Sequence, residues 1–310
     1  MLKGLFLCFL VAAPLFAKDN PVWTINDPRG DDYGDGTLQY PLSADYERGD
    51  LDLLSLAAYA EKDGTRFEAT FARPIKQPQR RTIDAIGTQL DQIARLGFYT
   101  FNLDIYIDTD RAPGSGSTAT LPGRRASIDP ASAWEKVICL TPDAALARAE
   151  MKRIFVRAAN KQARAEKKRG GISEDLRKKL ESNVDEFVFF PTTVRVFGSR
   201  IEFFVPNAFL GGQASPSWSY AVAVSGADIV QRTDQLGRIM RAGESTDSLL
   251  ILPVATGRPT DRFGGGREDD PLRPPLVDII VPAGVDQKKV LSDYDPDSDV
   301  PVKLPGVVPK

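Results

Sequence analysis

The sequence predicts a mainly β fold, an antiparallel β-sandwich carrying a two-helix insertion. Three observations predict it. Apolar and polar residues alternate over 98–108, two pairs of strand-like runs flank short turn signals, and helical spacing is confined to 143–185.

The first pair runs from Leu53 to Tyr59, meets Asp63-Gly64, and returns over Arg66 to Phe71, where Phe67, Ala69 and Phe71 alternate with polar residues. Asp-Gly accepts the positive φ angles of a tight primed turn, so this segment reads as a hairpin. Between 98 and 108, Tyr99, Phe101, Leu103, Ile105 and Ile107 fall on one face. Thr100, Asn102, Asp104, Tyr106 and Asp108 fall on the other, which predicts a long half-buried strand. Further strands are expected at 134–140, 217–225, 249–254 and 276–281. After Thr141-Pro142, Ala147, Met151, Ile154, Phe155 and Ala158 recur at helical spacing until Gly170-Gly171 interrupts. Ser173 then starts a second helix to about Asn183. The second hairpin runs from Thr192 to Phe197, turns at Gly198-Ser199 and returns through Ile201, Phe203 and Val205. Pro/Gly/Asp-rich stretches at 257–275 and 293–309 leave too little chain beyond them for another domain. Residues 18–310 therefore read as a single domain with a helical insertion at 143–185 and a Pro-rich tail over 296–310.

Composition narrows the chemistry. The 310 residues are 42% hydrophobic and 26% charged, which argues against disordered, collagenous and coiled-coil classes. There is no histidine. Its absence removes Ser-His-Asp and Cys-His catalysis, the HExxH zinc helix and His-ligated haem, so no haem is expected. Lys and Arg total 40 against 42 Asp and Glu, a net charge of -2. Without a global basic field, nucleic acid and anionic membranes are not expected partners.

At the N-terminus, Lys3 precedes an apolar run from Leu5 to Phe16, with Ala17 before Lys18 and Asp19. That is the layout of a secretory signal peptide, 1–17, cleaved after Ala17, and it predicts a periplasmic or extracellular protein. The run falls short of the roughly 20 residues that span a bilayer, so the mature chain is expected to be peripheral to the envelope at most. Cys8 leaves with the signal, and Cys139 then has no disulfide partner. An exported protein of this kind relies on its core and on any bound ion, with calcium plentiful outside the cytoplasm.

The loop Asp27-Pro-Arg-Gly-Asp-Asp-Tyr-Gly-Asp-Gly36 packs four carboxylates and three glycines into ten residues. Crowded carboxylates call for a neutralising cation, and a hard ion with six to eight oxygen ligands suits them. Asp and Gly also make good turns without any ion, and that reading stands beside the first. The spacing is not that of an EF-hand. Asp50 and Asp52, before the first hairpin, and Asp104 and Asp108, on the polar face with Tyr106, are candidates to converge on this loop. Carboxylates beside an aromatic ring suit a sugar, because the acids accept hydroxyl hydrogen bonds and the ring stacks on C–H groups. Tyr33, Asp104, Tyr106, Trp218 and Tyr220 are the candidate ligand contacts; for Asp104 a solvent-facing strand surface, and for Trp218 and Tyr220 a place in the core, are the competing readings. Trp134 reads as core. Lys161, Arg164, Lys167, Lys168 and Arg169 read as a solvated helical face, since acids follow at Glu174, Asp175 and Glu181.

Several segments together resemble one family: DPRGDDYGDG at 27–36 with Tyr40-Pro41, GDLDLLSL at 49–56, LDIYID at 103–108, WEKVI at 134–138, IEFFVPNAFLG at 201–211 and LSDYD at 291–295. In that order, from about Trp23 to Val308, they resemble the C-terminal domain of bacterial glucodextranases and some amylopullulanases. The resemblance implies a DOMON-like, carbohydrate-binding-module-like sandwich of jelly-roll character. It further implies a noncatalytic, calcium-associated module for a polysaccharide or cell-wall glycan, with calcium held by Asp27, Asp31, Asp32, Asp52 and Asp108. The catalytic domain of those enzymes is absent, so their hydrolytic activity is not inherited. Two alternatives stand beside this reading. One is an envelope assembly protein that binds a protein partner through the basic helix near Lys167, and the other is a glycoside hydrolase working with paired carboxylates.

Overall fold

The computed structural model describes residues 20–84, 87–166, 171–229, 249–257, 262–267 and 272–310. The segment 1–17, expected to be a signal peptide, and the cations Lys167, Lys168 and Arg169 lie outside the described residues. In chain order the strands begin with β1 (Trp23–Asn26), β2 (Leu53–Glu61), β3 (Gly64–Phe71), β4 (Phe101–Asp108), β5 (Ala126–Ile128), β6 (Lys136–Leu140) and β7 (Val188–Phe189). They continue with β8 (Val194–Phe197), β9 (Arg200–Pro206), β10 (Ser219–Gly226), β11 (Val254–Thr256), β12 (Phe263–Gly266), β13 (Leu276–Ile279) and β14 (Val302–Leu304). The helices are α1 (Leu90–Ile93), α2 (Ala144–Ala165), α3 (Glu174–Phe187), α4 (Asn207–Leu210) and α5 (Gln287–Ser292).

Two five-stranded sheets carry the fold, in the orders β1-β2-β3-β9-β8 and β13-β10-β4-β6-β7. One apolar core joins them, taking Leu56, Phe67 and Phe203 from the first sheet and Leu103, Ile105, Ile138 and Val222 from the second. Phe67 and Phe203 stack with ring centroids 5.5 Å apart, and Trp23 meets Tyr220 at 4.4 Å across the two sheets. These contacts give the mainly β sandwich predicted from the alternation.

The second sheet departs from strict antiparallel order. β7 runs parallel to β6, and the connection between them is the helical pair α2–α3. A parallel neighbour needs a crossover of a dozen or more residues, so the predicted insertion is the crossover itself. Asp143 caps α2 through the Leu146 N–H and Ser173 caps α3 through the Leu176 N–H, as their residue types favour.

β4 also differs from the half-buried strand of the sequence reading, being buried at every position. A second apolar cluster covers its outer face, built from Tyr106, Val137 and Cys139 with Ala147 and Met151 of α2, Val184 of α3, and Val302 and Leu304 of β14. The Pro-rich tail contributes to that cover: β14 pairs in parallel with β5, and Val307 exchanges backbone hydrogen bonds with Tyr220.

The first hairpin turns one residue earlier than predicted. Glu61 pairs with Gly64, so Lys62 and Asp63 form the turn, and neither has a positive φ. Gly64 is needed for a different reason, since a Cβ there would lie 2.4 Å from the Val205 carbonyl oxygen. In the second hairpin Gly198 takes φ 59° at the first central position, where a II′ turn places glycine.

Candidate metal centre between the sheets

The acidic loop leaves β1 at Asp27 and folds over β13. Gly34 donates its N–H to the Val277 carbonyl at 2.9 Å, and at φ 58° a Cβ on it would strike the Leu276 carbonyl at 2.7 Å. Only glycine fits there. The Gln287 side chain fixes the loop from the other side, donating to the Asp31 carbonyl at 2.6 Å and accepting from the Ile279 N–H at 2.7 Å. Asp27 and Asp31 are thereby brought to Asp278 in β13, with one carboxylate oxygen of each within 4.8 Å of the others.

Each neighbouring carboxylate also ties two segments together. Asp278 Oδ2 accepts the Leu53 N–H at 2.7 Å, joining β13 to the start of β2. Asp52 Oδ2 accepts the Gly30 N–H at 2.8 Å. Asp32 Oδ2 accepts from Tyr40 Oη at 2.5 Å and from the Gly49 N–H at 2.6 Å.

The remaining oxygens have no such partners. Asp27 Oδ1 and Oδ2 and the Oδ1 atoms of Asp31, Asp32, Asp52 and Asp278 are all buried, and no hydrogen-bond donor reaches them among the described residues. Buried carboxylate oxygens in this state are costly unless a proton or a cation lies between them. The titration behaviour follows from that crowding. Burial, with the Asp31 charge, pushes Asp27 up to about 8. Burial pushes Asp31 up to about 6, with the Asp52 and Asp32 charges adding to it. Asp278 is driven well above the usual carboxylate range by burial and then by Asp27 and Asp31. Asp32 and Asp52 are also raised, chiefly by burial. An all-oxygen, acid-rich donor set of this kind fits a hard divalent cation, with Asp27, Asp31 and Asp278 as the central ligands.

Asp278 was not legible as a member of this cluster in the sequence. Its one signal is a lone acid inside the apolar run Leu276–Ile280. Asp108, in contrast, does not join the loop, which corrects the set implied by the resemblance. It lies at the end of β4, where one of its carboxylate oxygens, one from Asp110 and one from Glu135 lie within 4.8 Å of one another. There the acids are held by local donors: Asp108 accepts the Arg111 N–H at 2.6 Å, and Glu135 accepts the Thr109 N–H at 2.8 Å and the Ser115 hydroxyl at 3.2 Å. Asp50 is separate too, held by Lys76 at 2.9 Å and Arg73 at 3.5 Å.

Three of the candidate sugar contacts are buried and have other partners. Arg124 grips Asp104 with two hydrogen bonds, Nε to Oδ2 at 2.6 Å and Nη2 to Oδ1 at 3.0 Å, and both side chains are fully enclosed. The Tyr106 hydroxyl accepts the Leu121 N–H at 2.9 Å, and the Tyr220 hydroxyl donates to the Ser215 carbonyl at 2.8 Å. With no exposed ring or carboxylate, Asp104, Tyr106 and Tyr220 have no face to offer a polymer. Tyr33, with the Arg48 guanidinium 5.4 Å from its ring centre, and Trp218 are only half-buried. Trp134 is half-buried against Tyr106 and donates its Nε1 proton to the Ala119 carbonyl.

Residues 22–305 match the family model described as the C-terminal binding-module, SLH-like, of glucodextranase. No curated protein sequence matches the chain at a significant level.

Proposed function

The chain belongs to the family of glucodextranase C-terminal binding modules, and from that premise we propose that it is an exported, noncatalytic module that binds a glycan and is stabilised by calcium. One observation carries the reading: the family is a binding module, not a catalytic domain, and the match covers residues 22–305. The buried carboxylates support the calcium component, because a cation at Asp27, Asp31 and Asp278 would join a loop of the first sheet to the edge strand of the second. A platform locked in this way suits binding without reaction, since rigidity lowers the ordering cost of association. Among the described residues no helix is long and apolar enough to cross a membrane. Of the candidate rings, Tyr33, within the acidic loop, and Trp218 are the two that are only half-buried.

Retention on insoluble α-glucan and on cell-wall material, followed by a glycan array with and without chelator, tests the proposal. Saturable binding that weakens in chelator, with no release of reducing sugar, is the expected result. Failure to bind across the whole panel would overturn it.

A further inference from the structure

The two sheets differ in what lies on their outward faces. The second apolar cluster covers that of β13-β10-β4-β6-β7, whereas none of the apolar clusters among the described residues takes a residue from the outward face of β1-β2-β3-β9-β8. There the outward positions are half-buried or exposed except at Ala57 and Gly64. Pairing puts Tyr59 of β2, Arg66 of β3 and Phe204 of β9 in one row across three strands, so the two aromatic residues stand two strand spacings, or about 10 Å, apart at their backbones.

Each member of the row is held in place. The Arg66 guanidinium lies 4.0 Å from the Tyr59 ring centre and meets Glu61 and Glu202, both at 3.2 Å. Arg200 reaches Glu68 at 3.4 Å, and Arg195 of β8 is opposite Glu202 in the strand register. The Phe204 ring lies against Gly64, where a Cβ would come 2.5 Å from its Cζ. Glycine in a strand marks such a close approach. Three arginines therefore stand against three glutamates on this face, and its formal charge cancels.

We propose that this open sheet face is where the module holds its glycan, and that the glycan is an uncharged, linear polysaccharide. The proposal rests on the glycan-binding reading and adds to it the face and the ligand class. Charge complementarity carries it: a face without net charge, yet dense in hydrogen-bond donors and acceptors, matches a polymer of hydroxyl groups and not a polyanion. Arginines and carboxylates already fixed by one another lose little freedom on binding. The half-buried rings of Tyr59 and Phe204 supply apolar surface for sugar C–H groups, and their separation lets one chain meet both. The charged pairs between them interrupt any continuous apolar patch, which disfavours an apolar protein surface as the occupant.

The test is hydroxyl-radical footprinting of the whole chain with and without dextran, soluble starch or hydroxyethyl-cellulose, all uncharged, together with binding measurements. At least one of the three should bind and protect Tyr59 and Phe204, leaving Phe155, exposed on α2, unprotected. Tyr59→Ala and Phe204→Ala should each weaken that binding by about tenfold, and Phe155→Ala should not. The footprint on the unaltered chain holds whether or not a variant folds. Protection of Tyr33 or Trp218 in place of Tyr59 and Phe204, or unchanged binding in both variants, would overturn the proposal while leaving the glycan reading intact. So would binding of none of the three polymers when a charged or other glycan on the array is held. Binding of no glycan at all would overturn both. Equal protection of this face by single-stranded DNA would overturn the choice of partner.

Discussion

At the scale of single residues, charge buried without a counter-charge governs this molecule. Arg124 and Asp104 show the satisfied case, a two-pronged ion pair enclosed beneath the covering segments. Removing one member strands the other in an apolar setting, so Arg124→Leu should destabilise the fold by about 3–5 kcal/mol in urea denaturation. A loss below about 1 kcal/mol would mean that water reaches Asp104. Asp27 and Asp31 show the unsatisfied case. An unfolded carboxyl titrates near 4, whereas folded Asp27 is raised to about 8 and Asp31 to about 6. Between those values the ion-free folded chain keeps protons that the unfolded chain has released. Their contribution to stability is complete below about pH 4 and is lost as pH rises through about 6 and then about 8. The ion-free protein should therefore melt lower at pH 8 than at pH 5.5, and saturating calcium should abolish the difference. A flat ion-free profile over that range would show that the carboxylates are not crowded in solution.

At the scale of elements, the acidic loop depends on glycine where backbone meets backbone. Gly34→Ala forces a side chain into the Leu276 carbonyl as well as into a left-handed backbone. Gly30→Ala faces only the backbone term, at φ 88° with open space around it, or about 1–2 kcal/mol. Thermal melts in calcium should rank Gly34→Ala clearly below Gly30→Ala; the reverse order would mean the loop does not rest on β13. The long strands β2, β3, β4, β9 and β10 and both long helices were legible because alternation and capping are local signals. The short strands β1, β5, β7, β12 and β14 were not, and the strand expected over 249–254 begins only at Val254. Tertiary cover was not legible either. Asn102, Asp104 and Asp108 look like a wet face in the sequence, yet α2, α3 and the β5–β14 pair enclose that side, and Arg124 arrives from a loop to neutralise Asp104. The same limit hid Asp278, whose link to Leu53 spans 225 residues of sequence. Asp108 was misplaced because sharing a strand with Asp104 says nothing about which end of the sandwich a side chain reaches.

At the scale of the whole molecule, the two sheets share one apolar core, and the carboxylate centre adds a second link at the edge where β13 meets the start of β2. An ion there would stabilise both sheets at once and would hold the loop that bears Tyr33. At a calcium concentration about a thousand times the dissociation constant, such linkage contributes about 4 kcal/mol. For a chain of this size that corresponds to a rise of roughly 6–7 °C in Tm. The most direct test is calorimetry of the chelator-treated protein at pH 7.5, titrated with calcium and melted before and after, with Asp278→Asn as the comparison. Stoichiometric calcium uptake with a Tm increase of that order, both lost or sharply reduced in Asp278→Asn, is the result expected. A chelated protein that takes up no calcium and melts unchanged would contradict the claim that a divalent ion joins the sheets.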